Sequence, residues 1–489
     1  MAAESSAHRH KLNGNGENGS VRSANINTGL VSLFAAELLL ICYTVLVIVF
    51  SIAATELSAD TVVGQILRLI ICLAALSMVQ VLRMCGYELL SAPVVLLVYL
   101  WMFHFALVAF TSVFPGLWDV FPWFKSWSLV LSWYQALLYS LMCLIGFVVG
   151  CVLARIFGFQ SVRQTVGRDV WSDKPLYLTG MIIFVLGAVH ILITVILHGG
   201  IALLTKYYVD VLNTLTTAAS KGIVLASLGI IMAAAGARND RIKLVVICQL
   251  FVSIFFLLLG MRSFALPVPV VLLVMLAKRG FRLPLWKIGL FVLILLWVIS
   301  FARVVREVGE GVSGIFKVRL GNVMPVEALV EMGGTLQTVS LTFQWTEESG
   351  FQYGGGYVYA FERLFRQRNA ENDRPDDVRS LEAQMITKAQ GLGGSSIGES
   401  YYNFGLLGPL LYFLPLGLLI GILDMRAASP KTVAVLSIAL FLGIVNGRGY
   451  FTGIPAYVLY AMVCWALQEF VRALEANSRL LQQGASITR

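Results

Sequence analysis

The run Gly393-Gly394-Ser395-Ser396-Ile397-Gly398-Glu399-Ser400-Tyr401-Tyr402-Asn403-Phe404-Gly405 gathers a carboxylate, two phenols and an amide just ahead of a late apolar block. Glycine lets one backbone approach another, or a ligand, closely. Glu399 is the candidate general base: it can take a proton from an attacking hydroxyl, with a pKa set by partial burial and nearby arginines. Tyr401, Tyr402 and Asn403 suit sugar hydroxyls. A structural reading stands beside this one. Ser395 or Ser396 caps a helix whose dipole favours Glu399 in the first turn, and the two tyrosines anchor at a membrane interface.

Arginines form the second group. Arg262 follows an apolar run, Arg303 and Arg306 follow another, and Arg319 and Arg448 fall on the same side by the count of spans given below. A planar guanidinium matches phosphate, so several that converge would hold a phosphate-bearing ligand. Snorkelling to the interface explains any one of them alone. Arg262 and Arg448 favour the ligand, because basic residues are disfavoured in short outward loops.

Other chemistries find little support. His8, His10, His104, His190 and His198 all lie outside segment 303–403, and the seven cysteines form neither a CxxC pair nor a His/Cys cluster. Neither a metal nor a cofactor is expected. The absence of a phosphate-binding or dinucleotide fingerprint argues against ATP-driven transport and nicotinamide redox chemistry. Glu37, inside the first apolar block, is a functional candidate by position, with an interior hydrogen bond as the alternative.

The elements that must position these residues follow from composition. The 489 residues are 58% hydrophobic and 13% charged, with mean hydropathy +0.81. Soluble domains carry roughly a quarter charged residues. Apolar blocks long enough to cross about 30 Å of hydrocarbon fall near 31–54, 64–82, 91–113, 129–153, 175–197, 220–237, 242–260, 264–278, 285–302, 404–424, 431–447 and 451–470. The expected fold is all-α and polytopic, with about 12 transmembrane helices, because lipid leaves no other way to satisfy the backbone of such blocks. Residues 1–28 read as a disordered cytoplasmic tail, 303–403 as a large outward loop with short helices over the membrane surface, and 471–489 as a second cytoplasmic tail.

Basic residues concentrate in the tails and alternate loops: Lys11 and Arg22; Arg83; Arg155, Arg163, Arg168 and Lys174; Arg238 and Arg241; Lys278, Arg279 and Arg282; Arg426 and Lys431; Arg472 and Arg479. Positive residues mark the cytoplasm, which puts both termini inside and segment 303–403 outside. The net charge of +9 is thereby explained without nucleic acid as a partner.

In these features the chain resembles the O-antigen polysaccharide polymerases (Wzy). The resemblance rests on the spans, the late outward loop, the outward arginines and Glu399 to Gly405; an Arg303-x10-Gly314 spacing found in some polysaccharide polymerases adds little among 44 glycines. It implies a metal-independent glycosyltransferase in the bacterial inner membrane that moves a growing glycan from undecaprenyl pyrophosphate onto a new lipid-linked oligosaccharide repeat, with membrane lipid around it. Arg262, Arg303 and Arg306 would meet the pyrophosphate, Glu399 the hydroxyl, and Tyr401, Tyr402 and Asn403 the sugar. A chain-length regulator is expected as a partner from the family alone. The rival readings are an O-antigen ligase, which in that family relies on a histidine in the large loop, and a flippase or other transporter of lipid-linked oligosaccharides, which needs no loop of this size.

Overall fold

The computed structural model describes residues 14–58, 61–117, 130–157, 171–200, 208–258, 265–281, 284–308, 323–365, 377–389 and 392–487. Among them every regular element is a helix. The first ten are α1 (Gly14–Ser58), α2 (Val62–Met84), α3 (Ala92–His104), α4 (Ala106–Val113), α5 (Leu131–Ile156), α6 (Lys174–Leu197), α7 (Tyr208–Gly236), α8 (Ile242–Leu258), α9 (Pro267–Lys278) and α10 (Leu285–Val308). Five shorter ones follow: α11 (Pro325–Gly333), α12 (Leu336–Ser349), α13 (Gly355–Phe365), α14 (Leu381–Lys388) and α15 (Ser396–Phe404). A π-helical turn (Pro409–Phe413) leads into α16 (Leu414–Arg426), then α17 (Pro430–Arg448) and α18 (Ile454–Ile487).

The chain is an all-α polytopic membrane protein. All twelve expected apolar blocks are helical, but they are not twelve equal spans. Nine helices among the described residues are long and apolar enough to cross a bilayer, and α3 with α4 makes a tenth if that pair, bent by 59°, counts as one. The other two blocks are α8 and α9; α9 has 12 residues and reaches only about 18 Å at 1.5 Å per residue. The first helix also begins earlier than the expected end of the tail, at Gly14: once a span has nucleated a helix, each added residue gains a hydrogen bond without a new nucleus.

Burial sorts the helices. α5 is apolar on every face, the pattern of a helix surrounded by others, and 94% of its 18-residue apolar window is buried, against 11% for α10. α10 turns Leu290, Leu293 and Ile294 outward, as a lipid-facing helix does. Where lipid is the solvent, helices associate by close packing over small residues. Gly146 and Gly150 of α5 meet the backbone of Pro409 and Leu414, and Gly417 of α16 meets Phe147. α6 and α7 repeat the device, with Gly180 and Gly187 on one helix and Gly222, Gly229 and Gly236 on the other, each pressed against the partner helix.

The basic residues of alternate loops share one end of the bundle through a chain of contacts. Arg155 Nη2 donates to Gly86 O at 2.7 Å. Lys278 Nζ lies 2.8 Å from Asp424 Oδ2, and Asp424 Oδ1 accepts from Ala92 N at 3.0 Å. Arg279 caps the end of α7 by donating to Ala234 O and Ala237 O. Arg472 pairs with Asp173, the N-cap of α6, and Lys431 reaches Glu469 at 2.7 Å. Cations at helix C-termini also complement the dipole there. α3 and α17 begin at this end with Ala92 and Pro430, so their far ends, His104 and Arg448, lie at the opposite one.

Segment 303–403 departs from expectation. Two of its helices are packed into the bundle instead of lying over it. Gly333 of α11 sits so close to the start of α4 that a Cβ would stand 2.1 Å from Leu107 N. In α12, Ser340 Oγ is 2.8 Å from Ser132 Oγ of α5, and Phe343 stacks on Phe50 and meets Tyr139 edge-on. The small hydroxyl residues of α12 permit this: Thr342 and Thr346 donate back to their own helix carbonyls, so a helix of low hydropathy is buried without stranded polar groups.

Candidate active site

α15 carries the polar run, and local chemistry fixes where it starts. Ser395, in extended backbone, accepts Gly398 N–H on its hydroxyl oxygen at 3.2 Å, the N-cap arrangement. Ahead of it, Gly394 crosses the end of α17 so closely that a Cβ would lie 2.4 Å from Gly449 O. α15 stops at Gly405, whose φ of +56° suits glycine. Tyr139 of α5 then ties the break together, its hydroxyl 3.0 Å from Ser400 Oγ and donating to Gly405 O at 3.1 Å. A 3-10 turn (Gly405–Leu407) leads to the π-helical turn, a form that recurs at functional sites.

Glu399 sits in the first turn of α15 and is 3% exposed. Its Oε2 accepts Phe451 N–H at 2.7 Å. Burial pushes its carboxyl up to about 8; the Phe451 N–H opposes that shift and the charge of Glu382 adds to it. A carboxyl held near neutrality is poised to exchange protons. Around it stand Tyr357 of α13, Tyr412 of the π-helical turn, Asn446 of α17, and Phe451 and Thr452 just beyond α17. Tyr357 stacks on Tyr412 with centroids 5.6 Å apart and meets Phe451 edge-on at 4.8 Å, and Asn446 Nδ2 donates to Tyr412 OH. Burial, with the charge of Glu399, raises the Tyr357 phenol well above its ordinary value.

The other expected site residues are placed differently. Tyr401 stacks on Phe343 at 3.7 Å, and burial pushes its phenol up to about 12. Tyr402 is fully buried and donates to Val378 O. Asn403 accepts Gly356 N–H at 2.9 Å and donates to Glu399 O at 2.9 Å. These three side chains bind α15 to α12, α13 and the segment just before α14. Arg303 is buried at the end of α10 and pairs with Glu327 of α11, Nη2 to Oε2, at 3.3 Å. Arg448 lies at the Glu399 end, its guanidinium 5.2 Å from the Phe103 ring centroid and its Nε 3.7 Å from where a Cβ on Gly393 would be. Arg262, Arg319 and Gly314 lie outside the described residues, as does the side chain of Arg306.

Residues 38–468 match the family model for the O-antigen polysaccharide polymerase Wzy. The chain belongs to that family. It is also similar to Protein CapE of Staphylococcus aureus, 25% identical over 340 residues that cover 67% of this chain and 74% of CapE. No solved structure matches. The Wzy family acts on lipid-linked oligosaccharide repeat units, and membership makes this chain a polysaccharide polymerase of a bacterial membrane.

Within this Wzy-family chain, one contact of the site was missed from sequence. His104, fully buried at the bend between α3 and α4, places Nε2 2.9 Å from Ser395 Oγ and Nδ1 2.9 Å from Leu100 O. A carbonyl only accepts, so Nδ1 carries the proton, and Nε2 accepts the Ser395 hydroxyl while that oxygen accepts Gly398 N–H. His104 thereby orients the cap of the helix that carries Glu399. A lone histidine in an apolar block gives no signal of a partner 291 positions away. Replacing it (His104→Ala) leaves the Ser395 hydroxyl unpaired and is expected to lower polymerisation about tenfold, the worth of one buried hydrogen bond. His104→Gln, whose amide can accept from Ser395, is expected to recover part of the loss, read as modal glycan length on a gel.

Proposed function

We propose that the protein polymerises oligosaccharide repeats carried on undecaprenyl pyrophosphate, at the non-cytoplasmic face of the bacterial inner membrane, with both termini in the cytoplasm. A hydroxyl of the incoming lipid-linked repeat attacks the anomeric carbon of the growing glycan. The new glycosidic C–O bond forms as the bond from that carbon to the pyrophosphate oxygen breaks. Undecaprenyl pyrophosphate departs with the bonding electrons, and Glu399 takes the hydroxyl proton.

The observation that carries this reading is a buried, near-neutral carboxyl, Glu399, at the end of the bundle opposite the ring of basic residues. The positive-inside rule assigns the basic end to the cytoplasm. Arg262, Arg303, Arg306, Arg319 and Arg448 supply positive charge to the departing pyrophosphate, so the transfer runs without a metal ion. Tyr401, Tyr402 and Asn403 shape the sugar site by holding α15 in place. A chain-length regulator acts as partner.

Deleting the gene in its host and running surface polysaccharide on a gel tests the proposal. Chains of one repeat are expected. Free, unattached polymer would identify a ligase instead, and loss of every surface repeat a flippase. Arg303 is tested separately, because removing one partner of a buried ion pair strands the other charge and costs about 3–5 kcal/mol. The double variant Arg303→Met, Glu327→Leu avoids that penalty and is expected to melt near the parent temperature in detergent while losing most polymerisation. Full polymerisation in the double variant would limit Arg303 to a structural role.

A further inference from the structure

Three polar atoms beside Glu399 are buried with no hydrogen-bond partner among the described residues: the Tyr357 hydroxyl, Asn446 Oδ1 and Thr452 Oγ1. Buried polar atoms are nearly always paired, and leaving one unpaired is costly. These three come from α13, α17 and the turn Phe451–Gly453, so no single strained loop explains them. They are linked around the carboxyl: Glu399 Oε2 accepts Phe451 N–H, the Phe451 ring meets Tyr357, Tyr357 stacks on Tyr412, and Tyr412 OH uses one half of the Asn446 amide. The free half of that amide and the Tyr357 hydroxyl therefore belong to one cluster with the carboxyl, and Thr452 follows Phe451 directly in the chain.

We infer that Tyr357, Asn446 and Thr452 form the subsite that binds the hydroxyls of the acceptor sugar and holds the attacking one against Glu399. Hydroxyls both donate and accept, so a sugar ring can satisfy an amide oxygen, a phenol and a threonine together. A pyrophosphate offers acceptors only and would leave Asn446 Oδ1 unpaired. The inference rests on Glu399 being the base. α13, which carries Tyr357, is entered through a turn in which Gly350, Tyr353 and Gly354 have positive φ, at 73°, 48° and 87°.

Tyr357→Phe and Thr452→Val each delete one unpaired hydroxyl and keep the shape. For folding alone, losing a buried unpaired polar atom is neutral or stabilising. For a subsite it removes a contact to substrate. The test uses the full-length protein in detergent with lipid-linked repeat extracted from host cells that lack the polymerase. Each variant is expected to lower kcat/KM about tenfold, mostly through KM, with a melting temperature equal to or above the parent. A kcat/KM within twofold of the parent would overturn the subsite, and so would a melting temperature that falls with activity. Glu399→Gln run in parallel separates the two ideas. If it is inactive while both hydroxyl variants are normal, only the subsite fails; if it is fully active, the base assignment beneath it fails.

Discussion

Glu399→Gln is expected to slow polymerisation by about 10²- to 10⁴-fold, the range for loss of a general base. The amide oxygen can still accept the Phe451 N–H that Glu399 now accepts at 2.7 Å, so the fold is retained and the loss is chemical. On a gel, the ladder of a complemented deletion strain collapses to one-repeat product. A normal ladder from normally inserted protein would remove Glu399 from the mechanism.

The same carboxyl gives the protein two opposed pH dependences. Burial raises its pKa from 4.5 to about 8, and only the ionised form can take the hydroxyl proton. Activity should therefore climb as pH rises and level off above about 8. Stability runs the other way. Between 4.5 and about 8 the folded protein keeps a proton that the unfolded chain has released, so unfolding becomes progressively easier across that window. Melting temperatures in detergent across the window should fall for the parent and lose that component in Glu399→Gln. The variant also removes the buried charge that imposes the penalty, which separates this result from general weakening of the fold.

What the sequence disclosed depended on how local the physics was. The cap at Ser395 and the close approach of the neighbouring glycines were legible because N-caps and tight crossings are properties of a few adjacent residues. The apolar blocks and the clustering of Arg155, Lys278, Arg279, Lys431 and Arg472 followed from solvation alone. The insertion of α12 was hidden, since a segment rich in Thr and Ser reads as polar until its hydroxyls are seen donating to their own helix carbonyls. The partners of Glu399 were hidden for another reason. Tyr357, Asn446 and Thr452 sit on elements far apart in the chain, and periodicity says which face a residue occupies without naming its neighbour. The length of α9 was legible, but the regular charge alternation outweighed it in the count of spans.

Gly150→Ala is expected to have the largest effect on the fold itself. The added methyl would stand 2.1 Å from Leu414 O and 2.7 Å from Leu418 N, both backbone atoms, so no rotamer change can relieve the clash and α5 must separate from α16. Overpacking commonly costs about 1–3 kcal/mol when side chains can adjust, and a backbone-on-backbone seam lies at or beyond the top of that range. Gly289→Ala is the control: nothing lies within 4 Å of its added methyl on lipid-facing α10, and alanine favours helix by about 1 kcal/mol. Melting in detergent should drop sharply for Gly150→Ala and hold or rise for Gly289→Ala. Activity should fall with the first even below its melting temperature. α16 continues the π-helical turn, and Gly408 just before that turn lies against Ser400 and the Tyr139 hydroxyl, so a shift of α16 moves the helix that carries Glu399. Parental melting in Gly150→Ala would mean that the seam between α5 and α16 is looser than these distances require, and that α15 is positioned from the His104 side instead.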